Sequence, residues 1–263
     1  MSLLNRMRTS VARLRAPQVE TSCGPARIYV TNWGGRRLRV LDIGGTFQSG
    51  TYLDEGWCDV PFPYLARFDA IFDAGIPMRD LCMLGGGGYA YPKHLIAHHE
   101  EVRIDVVEID PAITRIAREH FFLDRLQQAY RTEQTGRLGL ICDDAIRYLH
   151  ACANTGRTYD AILNDCFVGP SAEERLLLPE AVDALRACLR PHGLYVSNVI
   201  SALEGVKSEP LIRHVDALSR VFAHVCVLPG SQARRANEPN NVLVVAAIMP
   251  CALSGSIPLF DAV

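Results

Sequence analysis

The stretch DLCMLGGGGYAYPKHL, Asp80–Leu95, interrupts a short apolar run with four consecutive glycines before a helical pattern resumes. A short apolar run bounded by turn residues is typical of a buried strand. Glycine permits close approaches and backbone conformations that other residues avoid. Gly85–Gly88 therefore predict a strand, a tight turn and a helix N-terminus whose backbone amides face a ligand. A turn that only packs the helix against the sheet would use the same residues.

The alternation of apolar runs and helical patterns continues through most of the chain. The runs IDVVEID, LGLICDD and YDAILNDC are each followed by a helical pattern, which is typical of a doubly wound, mainly parallel sheet. No helical pattern separates the last two runs, HVCVLPG and NVLVVAAIM, so we expect an antiparallel pair at one edge. The predicted fold class is α/β, with a sheet of seven strands.

The N-terminal part of the chain has a different pattern. Strand-like runs surround a Gly-containing turn in residues 26–60, which predicts a small β-hairpin region. Phe62–Gly75 then changes to helical spacing and ends at a glycine. We divide the chain into an N-terminal arm (1–25), the β-hairpin region (26–60) and an α/β catalytic domain (61–263). The basic arm is expected to be a surface helix or a helix for a partner or membrane surface.

Composition excludes several classes of protein. Among 263 residues, 27 are basic and 29 are acidic, which gives a net charge of -2 and favours neither nucleic acid nor an anionic membrane. No run approaches the roughly 20 apolar residues that span a bilayer. Nine cysteines are an odd number and lack Cys-x-x-Cys spacing. We therefore expect a soluble cytoplasmic protein with reduced thiols.

Acidic residues follow the next strands of the predicted sheet, where ligands bind in open α/β folds. The second run ends in Glu108, 23 residues after Gly85. A carboxylate about 20 residues beyond a glycine loop often holds the hydroxyls of a ribose. Asp110, just beyond it, is equally typical of a helix N-cap.

The third and fourth runs also end in acids. Asp143 and Asp144 stand directly before a helical pattern, so one can cap the helix while the other meets a ligand. Asp165 ends the fourth run and would lie at the centre of the same edge. A carboxylate there could accept a proton from a substrate amine.

These segments together resemble the spermidine synthase-like family of aminopropyltransferases, which shares the class I S-adenosylmethionine methyltransferase fold. The segments CMLGGGG, VVEIDPAITRIAREHF, LICDDAIRYL, YDAILNDCFVGP and LRPHGLYVSNVIS follow the order and spacing of that family. The resemblance covers most of Arg27–Met249. It implies a transferase whose α/β domain binds S-adenosylmethionine or its decarboxylated form as co-substrate.

The resemblance also implies roles for single residues. The cofactor-binding set comprises Gly85, Gly86, Gly87, Glu108 and Asp143. Within this set, Glu108 would hold both ribose hydroxyls and Asp143 would meet the adenine amino group. Asp165 matches the proposed catalytic base. Gln48 and Tyr64 match substrate-binding residues beside the nucleoside tail and the amine channel, although both could simply pack at the rim.

Two departures from the family pattern bear on the reaction. Where the family follows its three glycines with Asp and Gly, this chain has Gly88 and Tyr89. The missing Asp would face the free ammonium group of decarboxylated S-adenosylmethionine and would repel the carboxylate of the intact form. A second acid is also absent after Asp165, and the two residues after Tyr64 are Leu and Ala. A polyamine would lose charge-assisted partners worth about 1.5–3 kcal/mol each.

We therefore expect methyl transfer to an unknown small-molecule acceptor, with aminopropyl transfer to a polyamine as the alternative. A non-catalytic protein for nucleoside binding or assembly is the second class of hypothesis. By resemblance we expect a homodimer. From the balanced charge we expect no nucleic-acid or membrane partner.

Other sites have weaker support. His94 and His98 are four residues apart on a predicted helix, but no third ligand has recognisable spacing, so we expect no metal. The glycine run lacks the Lys-Ser/Thr ending of a P-loop. It partly matches a dinucleotide fingerprint, and only the later acidic strand ends disfavour an oxidoreductase. Cys166 has no adjacent His, which favours packing over a role as nucleophile.

Overall fold

The computed structural model describes residues 11–168, 171–230, 236–251 and 253–261. A helical turn at residues 11–15 precedes a four-stranded antiparallel sheet. Its strands are, in order, β1 (Gln18–Thr21), β2 (Gly24–Trp33), β3 (Arg36–Ile43) and β4 (Thr46–Tyr52). The boundary predicted at residue 26 thus falls inside β2. The short strand β1 is half exposed and carries no apolar alternation, so its pairing with β2 was not visible in the sequence.

A second, larger sheet confirms the predicted fold class. Its strands are β5 (Asp80–Leu84), β6 (Arg103–Glu108), β7 (Leu138–Cys142), β8 (Tyr159–Asn164), β11 (Leu189–Ser201), β12 (His224–Pro229), β13 (Asn240–Ala247) and β14 (Ile257–Asp261). The spatial order is β14-β12-β13-β11-β8-β5-β6-β7. The strands from β11 to β7 are parallel, and β12 and β13 form the predicted antiparallel pair. The seven strands expected are present, and β14 adds an eighth at the edge.

Helices cover both faces of this sheet. They are α1 (Pro63–Arg67), α2 (Ala90–His98), α3 (Pro111–His120), α4 (Leu123–Ala129), α5 (Thr132–Thr135), α6 (Ala145–Thr155), α7 (Pro179–Ala187) and α8 (Glu209–Leu218). Short 3-10 segments occupy Phe68–Ala74, Glu174–Leu177 and Val206–Ser208, and a two-stranded ribbon of β9 (Phe167–Val168) and β10 (Ser171–Ala172) follows β8. The first 3-10 segment continues α1 and ends at Gly75 with φ +71°. The predicted helix with a glycine stop is therefore present, with a tighter second half.

Alternate residues of the central strands enter two separate cores. Leu81 and Met83 of β5 pack with α2, α3 and the N-terminal sheet, whereas Cys82 and Leu84 pack with α6, α7 and α8. This is the period of two that places successive strand side chains on opposite faces. The antiparallel N-terminal sheet therefore shares a core with one face of the large sheet.

Polar contacts fix the N-terminal sheet over the strand ends. The Lys93 ammonium, 1% exposed, donates to the Thr51 hydroxyl and to the Phe121 carbonyl, both at 2.8 Å. Arg39 donates to the His120 carbonyl at 2.6 Å. These bonds join β3 and β4 to α2 and to the end of α3, and so place one sheet as a wall above the other's carboxyl edge. Within the described ranges, no helix is both long enough and apolar enough to cross a bilayer.

Candidate active site

A cavity of about 540 Å³ lies between the N-terminal sheet and the carboxyl ends of β5, β6, β7 and β8. All eight residues singled out from the sequence line it. They are Gln48, Tyr64, Gly85, Gly86, Gly87, Glu108, Asp143 and Asp165. The ends of the strands and the family resemblance together thus identified residues that share one cavity and are up to 117 positions apart, from Gln48 to Asp165. Their assigned roles remain predictions.

The glycines are required first by contacts within the protein. A Cβ on Gly85 would lie 2.7 Å from the Asp165 carbonyl oxygen, and its φ of +89° also disfavours other residues. A Cβ on Gly86 would lie 3.0 Å from the Tyr89 ring. A Cβ on Gly88 would lie 2.6 Å from the Ser49 hydroxyl. At these three positions, close packing of the turn within the protein therefore explains part of the need for glycine. This is the alternative that the sequence analysis left open.

Gly87 differs from the other three glycines. Apart from its neighbours in the chain, no atom of the described residues lies closer than 3.7 Å to the site of its absent Cβ, and its φ is +49°. Gly87 lines the cavity beside Gln48. Here the backbone conformation, and not a protein contact, accounts for the glycine.

Tyr89 occupies a backbone conformation that usually belongs to glycine. Its φ is 56°, which is uncommon for a residue with a side chain. Its ring is fully buried, covers Gly86, and its hydroxyl lies 3.1 Å from the Thr114 hydroxyl. The buried ring and its hydrogen bond hold the strained backbone in place. The space under the glycine loop is therefore filled by the residue that directly follows it.

Glu108 fastens the glycine loop from the adjacent strand. Its Oε2 accepts from the amides of Gly86 at 2.9 Å and Gly87 at 3.2 Å, and its Oε1 accepts from the Asp110 amide at 3.0 Å. Burial raises the pKa of Glu108 above its ordinary value, although the three amides act in the opposite direction. A carboxylate has about four lone-pair sites, so one acceptor site remains for a ligand hydroxyl.

Acidic residues follow both β6 and β7, where some of them cap the next helix and others line the cavity. Asp110 caps α3 by accepting from the Ala112 amide at 2.7 Å, and it also accepts from the Ser22 amide at 2.5 Å. Asp144 caps α6 by accepting from two amides of its first turn. Asp143 forms an ion pair with Arg147 one turn along that helix. Asp144 is therefore the capping residue of its pair, whereas Asp143 pairs with Arg147 through its Oδ1 and lines the cavity.

Asp165 is held by two donors on opposite oxygens. The Tyr64 hydroxyl donates to Oδ2 at 3.1 Å, and the Asn198 side-chain amide donates to Oδ1 at 2.8 Å. Burial raises the pKa of Asp165 to about 6, and the two donors limit the shift. Burial, and then the nearby Asp165 carboxylate, raise the pKa of Tyr64 well above its ordinary value. Asp165 is thus ionised at neutral pH yet close to its titration point, which suits a general base.

A second cavity, of about 630 Å³, meets the first at Asp165. The two share Thr46, Gln48, Tyr64, Asp165 and Phe167. Five aromatic rings line the second cavity, from Trp33, Phe47, Phe62, Tyr64 and Phe167. Four carboxamides also line it, from Gln48, Asn198, Asn240 and Asn241. Its walls are therefore apolar and neutral-polar, with a carboxylate at the junction.

Two of these carboxamides form a chain of hydrogen bonds that the sequence analysis missed. The Asn241 amide donates to the Asn198 Oδ1 at 3.1 Å, and Asn198 in turn donates to Asp165. Asn198 lies near the carboxyl end of β11, so the strand-end argument would have found it. Asn241 belongs to an antiparallel strand and carries no such signal. Cys166, beside Asp165, has a pKa raised well above its ordinary value by burial, which disfavours a thiolate nucleophile.

The sheet order, the glycine loop and the acids at successive strand ends define an α/β protein of the class I methyltransferase fold. Residues 75–227 match the family model described as the spermine/spermidine synthase domain. Because the match covers more than half of the chain, the chain belongs to this family.

Curated relatives include both kinds of transferase. The chain is 29% identical over 159 residues to a polyamine aminopropyltransferase of Vibrio vulnificus, covering 60% of this chain and 50% of that protein. It is 27% identical over 154 residues to the eEF1A lysine and N-terminal methyltransferase homolog of Drosophila melanogaster, covering 56% of this chain and 21% of that protein. The chain thus spans half of one relative and a fifth of the other.

Solved structures support the fold. A probable spermidine synthase from Corynebacterium glutamicum superposes with a TM-score of 0.68 at 21% identity, covering 89% of this chain and 80% of that one. Human methyltransferase-like protein 13 in complex with SAH superposes with a TM-score of 0.55 at 18% identity, covering 72% of this chain and 83% of that one. At these identities the likeness establishes the fold alone.

Proposed function

We propose that this protein transfers a methyl group from S-adenosylmethionine to an acceptor held in the second cavity. The observation that carries the proposal is the meeting of two cavities at Asp165, one beside the glycine loop and one lined by aromatic rings and carboxamides. Two substrates held on either side of one carboxylate can react directly, because binding supplies the proximity that a bimolecular reaction lacks.

The first cavity has groups suited to a nucleoside. Glu108 has one acceptor site left for a ribose hydroxyl, and it could bind both hydroxyls only if the amides of Gly86 or Gly87 moved away. Asp143 lines the same cavity at the end of the next strand and could accept from an adenine amino group. These hydrogen-bond acceptors therefore fit an adenosyl nucleoside, as the SAH complex of methyltransferase-like protein 13 also suggests.

The charge around Asp165 favours methyl transfer over transfer to a polyamine. Among the described residues that line the second cavity, Asp165 is the sole carboxylate. In the first cavity, Glu173 and Asp144 both pair with Arg175. A polyamine carries several ammonium groups, and each one brought out of water needs a charged partner. One carboxylate is enough for a single amine.

The contacts of Gly88 point in the same direction. An acid at this position would place its Cβ 2.6 Å from the Ser49 hydroxyl and 2.9 Å from the Phe121 ring. The space that such an acid would occupy is filled by the N-terminal sheet and the end of α3. The site is therefore built without the charge that would distinguish decarboxylated S-adenosylmethionine from the intact form.

When bound, S-adenosylmethionine supplies a methyl carbon activated by its sulfonium. Asp165 would accept the proton from the acceptor nitrogen as the new carbon–nitrogen bond forms. The carbon–sulfur bond breaks, and its electron pair remains on sulfur, which becomes a neutral thioether. Tyr64 and Asn198 hold the carboxylate in place and keep it ionised, since each donates a hydrogen bond to it.

Aminopropyl transfer is the second candidate. The match to the spermine/spermidine synthase domain and the similarity to a polyamine aminopropyltransferase favour it. Both reactions attack a carbon bonded to the same sulfonium, so the orientation of the bound nucleoside decides which group is transferred.

Titration calorimetry with S-adenosylmethionine and with its decarboxylated form tests the proposal. We expect the intact form to bind more tightly, and Asp143→Asn to weaken both ligands. Asp165→Asn should retain nucleoside binding, which makes it the matched control for loss of the nucleoside site. Tighter binding of the decarboxylated form would favour aminopropyl transfer. Failure of both nucleosides to bind would support a non-catalytic assembly protein.

A further inference from the structure

A cluster of two histidines and an aspartate lies outside the two cavities. Asp69 belongs to the 3-10 segment Phe68–Ala74, His94 belongs to α2, and His99 follows that helix directly. One ligand atom from each of the three lies within 4.8 Å of the others. The sequence offered His94 and His98 as a pair without a third ligand. The fold supplies that ligand from 25 residues upstream of His94, where no spacing rule could find it.

His98 does not belong to the cluster, because its Nδ1 lies 2.9 Å from the His94 carbonyl oxygen. His99 takes its place. Its ring stacks on Phe72 with 3.9 Å between the ring centroids, which holds it on the same side as Asp69.

We propose that Asp69, His94 and His99 bind one divalent transition-metal ion, with zinc as the best match. Two imidazoles and one carboxylate, with a remaining position for water, form a common zinc ligand set. The Asp69 Oδ2 and the His94 Nε2 are 3.0 Å apart. Two ligands bound at about 2.0–2.1 Å to one tetrahedral ion are roughly 3.3–3.4 Å apart, so this pair needs to open by only a few tenths of an ångström. The His99 ligand atom lies within 4.8 Å of the other two, and His99 stands at a helix end with extended backbone.

One further contact supports a metal site. The Tyr91 hydroxyl donates to the Asp69 Oδ1 at 2.9 Å, so it orients the carboxylate and leaves Oδ2 directed at His94. Such outer hydrogen bonds commonly fix the ligands of metal sites.

An ion bound in this cluster would connect two elements that contribute residues to the cavities. The 3-10 segment that carries Asp69 continues α1, which carries Tyr64. The helix that carries His94 begins at the glycine loop, and its first residues Ala90 and Tyr91 line the first cavity. A metal bound here would fasten the element that holds Tyr64 to the element that follows the glycine loop.

The full chain, freed of metal by chelation, should bind one equivalent of Zn²⁺ in titration calorimetry. His94→Gln and Asp69→Asn should each weaken this binding by more than about 100-fold, since loss of a ligand exceeds the cost of losing an outer-shell partner. The control His192→Gln removes an exposed histidine outside the cluster and should bind as the parent does. If His94→Gln fails to fold by circular dichroism, His99→Gln provides the same test.

Co²⁺ provides an independent spectroscopic readout, because nine free cysteines could also bind metal. A visible spectrum without a thiolate charge-transfer band would agree with the histidine and aspartate ligands. A thiolate band, binding that does not saturate, or unchanged affinity in both cluster variants would overturn the proposal.

Discussion

Replacing Asp165 by asparagine should stabilise the fold at neutral pH while it removes the proposed base. The parent carboxyl has a pKa of about 6 in the folded protein because burial disfavours its charged form. The unfolded chain releases the same proton near the ordinary value of 3.8. The folded protein therefore resists an ionisation that the unfolded chain undergoes freely, and its stability falls as pH rises from about 4 to 6.

The magnitude follows from the size of that shift. About two pKa units correspond to roughly 3 kcal/mol at 1.36 kcal/mol per unit. Cavity water that reaches the carboxylate reduces this figure, so a gain of about 1–3 kcal/mol is expected above pH 7. Near pH 5 linkage predicts about half of the gain, and below the unfolded pKa the gain vanishes. Asparagine also preserves both contacts, because its oxygen accepts from Asn198 and its amide donates to the Tyr64 hydroxyl.

Urea denaturation of the parent and of Asp165→Asn at pH 5 and pH 8 measures this difference in the free energy of unfolding. The same exchange at the exposed Asp183 of α7 serves as the control and should show little difference at either pH. A loss of stability in Asp165→Asn at pH 8, or a gain that does not change with pH, would refute the reasoning. Methyl-transfer rates of the same samples should fall sharply in Asp165→Asn alone.

Three further substitutions test other contacts of the site. Tyr64→Phe removes a donor that lowers the pKa of Asp165, so the inflection in a plot of kcat/KM against pH should rise by up to about one unit. Gly85→Ala should cost about 1–3 kcal/mol more than Gly75→Ala in urea denaturation, since both have positive φ but only Gly85 also meets a backbone atom. Gly88→Asp should destabilise the fold by about 1–3 kcal/mol without tighter binding of decarboxylated S-adenosylmethionine in calorimetry.

The edge of the sheet where the site lies was predictable because it follows from topology. Parallel strands end at one edge, so acids that follow successive apolar runs must converge. Glu108, Asp143 and Asp165 line one cavity for this reason. For Asp144 and Asp110 the sequence left open a helix cap or a ligand contact. Their hydrogen bonds to backbone amides show that both residues cap helices.

Contacts between distant segments were not predictable from the sequence. Nothing in the glycine run indicates that Ser49 of the N-terminal sheet fills the space beside Gly88. Asn241 reaches Asn198, the partner of Asp165, only because β13 returns antiparallel to β11. Asp69 likewise meets His94 through the packing of a 3-10 segment on a helix. Local patterns identify strands and caps, whereas these neighbours depend on how separate elements pack.

The family match covers a larger part of the first cavity's lining than of the second cavity's lining. The match spans residues 75–227 and includes the glycine loop and the acids at the strand ends that line the first cavity. The wall of the second cavity comes largely from outside it, from Trp33 and other residues of the N-terminal sheet, from Tyr64 on α1 and from Asn241 on β13. Under the proposed function, relatives can therefore share the residues that bind the nucleoside while their acceptor sites differ. Homology alone should consequently be a good guide to the nucleoside and a poor guide to the molecule that receives its group.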